Sequence, residues 1–283
     1  MPTLAEKRQR FRELHESGCF ALPNPWDIGT ARYLQHLGFK AIATTSAGYA
    51  FSLGLPDGGV GRDAMLAHVR DLAEASDLPV NVDYENAYAH DANTAAENVR
   101  LCVEAGAAGV SVEDNSGRKD EPLYELEEAT ERIHAAREAI HGSGAILVAR
   151  AECFLVGVED IDEVLRRLTS YAHAGADCLY APGIHTREHV RAVVEAVAPK
   201  PVNHLISAPA GLTMADAAEL GVRRVSVGGA LARAAWGGFV RAAKTLAEHG
   251  TFEGFADAAP HGDLNQLFRD DMRERRCEPV DER

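Results

Sequence analysis

The chain has 283 residues, 46% of them apolar and 25% charged, and a formal net charge of −14. This length suits one large α/β barrel as a single unit, because such barrels commonly run to about 250 residues. The negative balance without basic clusters speaks against nucleic acid and acidic membranes as partners, and no apolar run approaches the roughly 18 residues of a membrane span.

From the N-terminus, residues 3–15 read as a helix with Leu4, Phe11 and Leu14 on one stripe. The opening is amphipathic and charged and lacks the apolar core of a secretory signal, so a cytoplasmic protein is expected. A regular alternation follows. Strands are expected at 19–22, 40–44, 80–84, 109–112, 145–149, 177–181, 201–205 and 223–227. Helices are expected at 28–37, 62–75, 92–105, 123–140, 161–174, 186–197, 214–220 and 230–249. Gly106 and Gly175 sit where a left-handed residue would end a helix before the next strand. The strand segments are apolar at successive positions, as when both faces are buried, so the fold expected is an α/β protein of the (β/α)8 TIM-barrel type. Residues 1–283 are read as one barrel domain in which 250–283 form a C-terminal helical extension with a charged, frayed tail. The apolar residues Phe252, Phe255, Leu264 and Phe268 of that extension suggest packing on the barrel or on a second copy. Five cysteines (Cys19, Cys102, Cys153, Cys178, Cys277) are scattered without CxxC spacing, which argues against a disulfide framework or a structural zinc site.

Barrel active sites lie at the C-terminal strand ends, and three of these strands end in charge. P-V-N-V-D-Y-E (79–85) places Asp83 and Glu85 two apart, so an extended strand would point both the same way. G-V-S-V-E-D (109–114) ends in Glu113 and Asp114, and A-I-L-V-A-R-A-E (145–152) in Arg150 and Glu152. Converging carboxylate oxygens suit Mg²⁺ or Mn²⁺, which hold a bidentate substrate and keep much of their water. Asp83, Glu85 and Glu113 are therefore the expected metal group. Thr45, Ser46 and Ala47 could cradle a carboxylate, or simply turn the chain into the next helix. Asp57 lies in a Pro/Gly loop and taken alone reads as a turn residue. Asn203 could orient a substrate carboxylate, and His204 is the better general acid by its titration range. Tyr49, Cys153, Tyr180 and His185 are weaker acid–base candidates.

The order of T-S-A-G, S-L-G-L-P-D, V-D-Y-E, G-V-S-V-E-D and V-A-R-A-E resembles the isocitrate lyase and phosphoenolpyruvate mutase superfamily over residues 20–240. The resemblance implies an (α/β)8 barrel, Mg²⁺ dependence, 2-oxo acid chemistry through an enolate, and homodimers or homotetramers that exchange their eighth helix. It implies metal-site roles for Asp83, Glu85 and Glu113, with Glu85 standing where the family carries aspartate. It also implies a substrate cradle at Thr45, Ser46 and Ala47, a loop aspartate at Asp57, and an arginine of the fifth strand at Arg150. The K-[KR]-C-G-H loop of isocitrate and methylisocitrate lyases is missing, since Glu113 is followed by D-N-S-G-R-K-D-E-P-L-Y-E, and Pro182 falls where lyases carry Glu. The expectation is a Mg-dependent carbon–carbon lyase or decarboxylase for a small 2-oxo or 2-hydroxy dicarboxylate. Arg150 is its electron sink, with Asp57 and His204 as further catalytic groups. The alternatives are a phosphonopyruvate hydrolase or mutase, and a non-catalytic 2-oxo acid-binding barrel.

Overall fold

The computed structural model describes residues 2–209 and 211–276. They fall into two compact units, one ending at Ala230 and one beginning at Leu231. The first opens with α1 (Leu4–Leu14), β1 (Phe20–Leu22), α2 (Ile28–His36), β2 (Ile42–Ala43), α3 (Ser46–Ser52) and α4 (Arg62–Ala75). It continues through β3 (Val80–Asp83), α5 (Ala92–Glu104), β4 (Gly109–Glu113), α6 (Leu126–Ala139) and β5 (Ile146–Arg150). The last turns are α7 (Ile161–His173), β6 (Cys178–Tyr180), α8 (Arg187–Val197), β7 (Val202–Leu205), α9 (Met214–Glu219) and β8 (Arg224–Ser226). Strands pair in the order β1-β8-β7-β6-β5-β4-β3-β2, every pair parallel. No ladder joins β1 to β2. The seam is closed instead by the Ala43 N–H donating to the Pro23 carbonyl at 2.9 Å and the Asn24 amide donating to the Thr44 carbonyl at 2.7 Å. This is the (β/α)8 barrel expected from the alternation. The sequence pattern missed α3, because T-T-S-A-G reads as a turn while Thr45 in fact caps a helix by accepting from the Gly48 N–H.

Alternation along each strand sorts the side chains between two apolar layers. Val80, Val82, Val110, Val112, Leu147, Ala149 and Leu179 pack outward against the helices, whose buried stripes include Val69, Leu72, Val99, Val103, Ile133 and Leu168. Leu22, Ala43, Ile146, Val148, Cys178 and Tyr180 belong to an inner cluster with Phe11 of α1. Helix α1 closes the N-terminal face of the barrel. Lys7 donates to the carbonyl of Ala73, Arg8 to those of Val103, Ala107 and Ser143, and Arg12 to that of Ala145. Its basic face thus satisfies carbonyls at the ends of helices and the starts of strands, groups that would otherwise be unpaired. The Phe11 ring meets Gly109, where an added Cβ would lie 2.7 Å from the ring edge and 2.7 Å from Asn81 Oδ1.

The second unit comprises α10, which runs Ala230–His249 and enters it at Leu231, a short turn at Glu253–Phe255, and α11 (His261–Arg276). The turn meets α10 closely at Gly254, where a Cβ would stand 2.7 Å from Ala242 Cα. Trp236, Phe239, Phe252 and Phe255 are exposed, Phe252 to 68%. The charged stretch 269–276, expected to fray, is helical in α11, and the Arg275 Nε–H donates to Asp271 one turn back at 2.9 Å. Cys277 and the rest of the tail lie outside the described residues. The four cysteines within them carry free thiols. No helix among the described residues is long and apolar enough to cross a membrane.

Because Phe11 is fully buried against the strands, Phe11→Ala should destabilise the protein by about 3–5 kcal/mol through lost burial and a residual cavity. Urea unfolding measures this, and a loss below about 1 kcal/mol would mean that α1 is not part of the barrel core.

Candidate active site at the strand ends

The charged cluster is built around Arg150, the last residue of β5. Its Nη1 lies 2.5 Å from Asp83 Oδ1 and 3.1 Å from Glu113 Oε2, and its Nη2 lies 2.7 Å from Glu152 Oε1. Burial opposes the charge on this guanidinium, but Glu152, Glu113 and Asp83 outweigh it and hold its pKa well above the ordinary value. A line of hydrogen bonds fixes the cluster from outside the wall. Arg167 of α7 and the Tyr171 hydroxyl donate to Asp114 Oδ2 at 3.0 and 2.6 Å, and Asp114 Oδ1 accepts from the Glu152 N–H at 2.8 Å. Asp114, adjacent to Glu113, therefore faces the helices and orients the Glu152 backbone.

Asp83 is placed from β2. Its N–H donates to Thr44 Oγ1 at 2.8 Å, and its Oδ2 accepts from both the Ser46 N–H (3.0 Å) and the Ser46 hydroxyl (2.9 Å). The expected cradle therefore divides its tasks. Thr45 caps α3, Ser46 holds Asp83, and Ala47 lines the cavity between them. Asp57 comes from the loop between α3 and α4 to line the same cavity, its pKa raised by burial and by Asp83.

Glu85 is not where an extended strand would put it. β3 ends at Asp83, and Glu85, Ala87 and Tyr88 adopt left-handed backbone with φ of 49°, 60° and 55°. Such conformations cost on the order of 1 kcal/mol or more for residues with a Cβ and persist only where neighbours fix them. Here the Glu113 N–H donates to the Glu85 carbonyl (3.0 Å), Asn98 donates to that of Ala87 (2.8 Å), and Arg132 clamps the carbonyls of Asn86 and His90. Glu85 Oε1 ends up buried with no hydrogen-bond donor. Burial, Asp83 and Asp57 push its pKa up to about 7, and burial pushes Glu113 up as well despite Arg150.

The cavity measures about 190 Å³, which suits a ligand smaller than the drug-sized molecules of common pockets, roughly 300–1,000 Å³. Arg150, Asp83, Asp57, Tyr180, Asn203 and Arg224 line it, so it runs from the strand ends into the bore. His204 does not line it. Asn203 and His204 are neighbours on β7, and alternation sends the first inward and the second, which is buried, towards the outer layer. Adjacent residues of one strand cannot both face the bore, so His204 is not a site residue. Asn203 is itself engaged, accepting from Arg224 Nε and donating to Ser226 Oγ, each at 2.9 Å. Cys153 and His185 are likewise absent from the lining, as are Glu85, Glu113 and Glu152, of which Glu113 and Glu152 meet it only through Arg150, whereas Tyr180 lines it, its ring centroid 5.1 Å from the Arg150 guanidinium carbon.

Several lining residues carried no strand-end signal. Asn24 donates to Thr44 and accepts from the N–H groups of Val227 (3.0 Å) and Gly228 (2.9 Å), tying three strand ends together. Asn81, Ser111, Arg224 and Ser226 lie two residues before Asp83, Glu113, Ser226 and Gly228. Counting back by two from each strand end would have exposed the polar bore.

The fold and this cluster define a (β/α)8 enzyme with a small, acid-rimmed pocket. Residues 11–247 match the phosphoenolpyruvate phosphomutase family, and the chain belongs to it, within the isocitrate lyase and phosphoenolpyruvate mutase superfamily. A Burkholderia cenocepacia lyase/mutase candidate of known crystal structure is 48% identical, with a TM-score of 0.91 over 94% of this chain and 97% of that one. The oxaloacetate decarboxylase of Paraburkholderia xenovorans is 31% identical over 230 residues, 77% of this chain and 74% of that protein. The 2-methylisocitrate lyase of Escherichia coli is 32% identical over 171 residues, 58% and 57% of the two chains.

The raised pKa of Glu85 sets a pH dependence in the metal-free protein. Below the ordinary value of 4.5, Glu85 is protonated folded or unfolded and costs nothing, whereas above about 7 the folded state bears the full cost of its charge. Glu85→Gln should therefore stabilise the metal-free protein at pH 8, on the order of 3 kcal/mol, and leave it nearly unchanged at pH 4.5. Thermal melts at the two pH values would show it, and equal effects at both would refute the displaced titration.

Proposed function

We propose that the protein is a Mg²⁺-dependent carbon–carbon lyase or decarboxylase acting on a small 2-oxo or 2-hydroxy dicarboxylate through a pyruvate-type enolate. The observation that carries this reading is Arg150, one guanidinium gripped by carboxylates from three strand ends at a cavity of small-metabolite size. The similarity to enzymes named 2-methylisocitrate lyase and oxaloacetate decarboxylase supports carbon–carbon cleavage.

The residues present fit a divalent cation. Asp83, Glu113 and Glu152 pair with a single guanidinium, Asp57 and Glu85 add further negative charge nearby, and one buried oxygen of Glu85 has no donor. Among the described residues no three acids or imidazoles converge as direct ligands. Mg²⁺ keeps several waters and takes one or two carboxylates. Asp83 would hold the ion (Mg²⁺ or Mn²⁺), with Glu85 and Glu113 holding its waters, and when bound it supplies positive charge opposite the keto oxygen of the substrate.

The chain's own groups supply the rest. Arg150 lines the cavity and offers it the Nη2 edge that Asp83, Glu113 and Glu152 leave over, a donor for the substrate carboxylate or for the oxygen that gains charge as the carbon–carbon bond breaks. Asp83, Glu113 and Glu152 hold it in place, so no reorganisation is needed at that moment. Tyr180, whose hydroxyl burial pushes up to about 12, stays protonated at neutral pH and can donate a hydrogen bond to the oxygen that gains charge. Loss of CO₂ requires no base to deprotonate a hydroxyl, and among the described residues no histidine or cysteine lines the cavity. Decarboxylation therefore suits the site best.

Turnover with and without Mg²⁺ on oxaloacetate, dimethylmalate, methylisocitrate and phosphonopyruvate tests this reading, and no metal-dependent turnover together with no calorimetric binding of oxalate would overturn it. Arg150→Lys keeps the charge but loses the two-pronged geometry. On the best substrate kcat should fall on the order of 10²-fold or more while KM rises less, and a change of only a few-fold would make Arg150 structural.

We also propose that the protein works as a homodimer or homotetramer joined through α10 and the turn after it, where Trp236, Phe239, Phe252 and Phe255 expose aromatic surface. Sedimentation at micromolar concentration should show the oligomer, with Phe239→Asp shifting it towards monomer. A monomeric parent protein would refute the assembly.

A further inference from the structure

The register of the barrel links the active-site arginine to a second buried arginine. Arg150, Tyr180, Asn203 and Arg224 are successive register partners on β5, β6, β7 and β8. They are the last residue of β5, the last of β6, the second of β7 and the first of β8, so the row descends from the strand ends to the floor of the bore. The same cavity touches all four.

Arg224 is 2% exposed and among the described residues has no carboxylate partner. Its Nε donates to Asn203 Oδ1 at 2.9 Å, and its Nη1 lies 3.2 Å from Asn81 Oδ1 and 3.4 Å from His15 Nε2. His15 acts there as a neutral acceptor, because its Nδ1 lies 2.7 Å from the Phe11 carbonyl and burial drives its pKa down to about 3. Among the described residues every partner of Arg224 is therefore neutral, and its Nη2 donates to none. Burial lowers the pKa of Arg224, in contrast to Arg150, whose carboxylates raise it. A fully buried guanidinium without a counter-charge is costly unless an anion completes it, and the donor left over belongs to a residue that lines the cavity.

We propose that Arg224, set by Asn203, Asn81 and His15, forms a carboxylate-binding subsite at the floor of the cavity and selects dicarboxylates by holding the carboxylate remote from the reacting carbon. This rests on the reading of the strand ends as a 2-oxo or 2-hydroxy acid site. Arg150 takes the near end of the substrate and Arg224 the far end, with the Tyr180 ring and Ser226 between them on the wall. A monocarboxylate of the same length would leave the Arg224 charge uncompensated, so discrimination arises from a buried group left unpaired.

Calorimetry in the presence of Mg²⁺ with three probes tests this: oxalate, malate, and 2-hydroxybutyrate, which matches malate in chain length but lacks the second carboxylate. The unaltered protein should bind malate at least 10-fold more tightly than 2-hydroxybutyrate. Arg224→Gln should abolish that preference while oxalate, too short to reach the floor, keeps its affinity within about 3-fold. Arg224→Lys, which retains the charge and guards against a variant that fails to fold, should keep part of the preference. Equal binding of malate and 2-hydroxybutyrate by the unaltered protein overturns the proposal, as does a malate preference that survives in Arg224→Gln or is undiminished in Arg224→Lys. An Arg224-dependent rise in thermal stability with chloride but no malate preference would assign the subsite to a free inorganic anion and overturn its role in selection. Failure of oxalate to bind the unaltered protein would instead count against the strand-end reading, so the two failures are distinguishable.

Discussion

The strand-end architecture depends on one guanidinium that keeps several carboxylates together. Asp83, Glu113 and Glu152 come from neighbouring strand ends and would repel one another in a partly buried space, yet each reaches Arg150 within 3.1 Å. Removing one member of such a buried group leaves an uncompensated charge, which is why these clusters tend to stand or fall as units. Much of the surrounding structure serves to hold the parts of this one still. Ser46 and Thr44 hold Asp83, Asp114 holds the Glu152 backbone, and Arg167 and Tyr171 hold Asp114.

The site is nevertheless short of positive charge, and its imbalance is local. Glu85 carries it most visibly, on a left-handed backbone that Asn98, Arg132 and the Glu113 N–H over-determine. A carboxylate lifted to about pH 7 at such a position is suited to accept a cation. In the bore below, the imbalance has the opposite sign, since Arg224 is ringed by neutral acceptors. The cavity thus runs from an acidic rim to a cationic floor, and a ligand whose charges alternate along its length would satisfy both ends.

The barrel and the strand-end residues were legible in the sequence because apolar strands ending in charge give a signal of fixed period. The strand-end identities of Asp83, Glu113 and Arg150 followed directly from that period. What escaped was set by departures from it. Glu85 needed a left-handed turn that no glycine announces. His204 was attractive as an imidazole, although its neighbour Asn203 already claimed the inward face. α3 was hidden because the residues that form a carboxylate cradle are also good helix-capping residues. Arg224 lies at the start of a strand, where charge is ordinarily read as solvent-facing, and only its register partners show that it points into the bore.

The seam between β1 and β2 gives the barrel a built-in line of weakness. Elsewhere the wall is held by ladders of parallel pairs, but here, among the described residues, only the Ala43–Pro23 and Asn24–Thr44 bonds span the gap. Local opening is easiest where the fewest bonds must break, so the staves of the barrel part most readily at the segment that carries Thr44, Thr45 and Ser46. The pocket therefore adjoins the stretch of wall with the fewest bonds to break among the described residues, and Asn24 is the rivet that holds it.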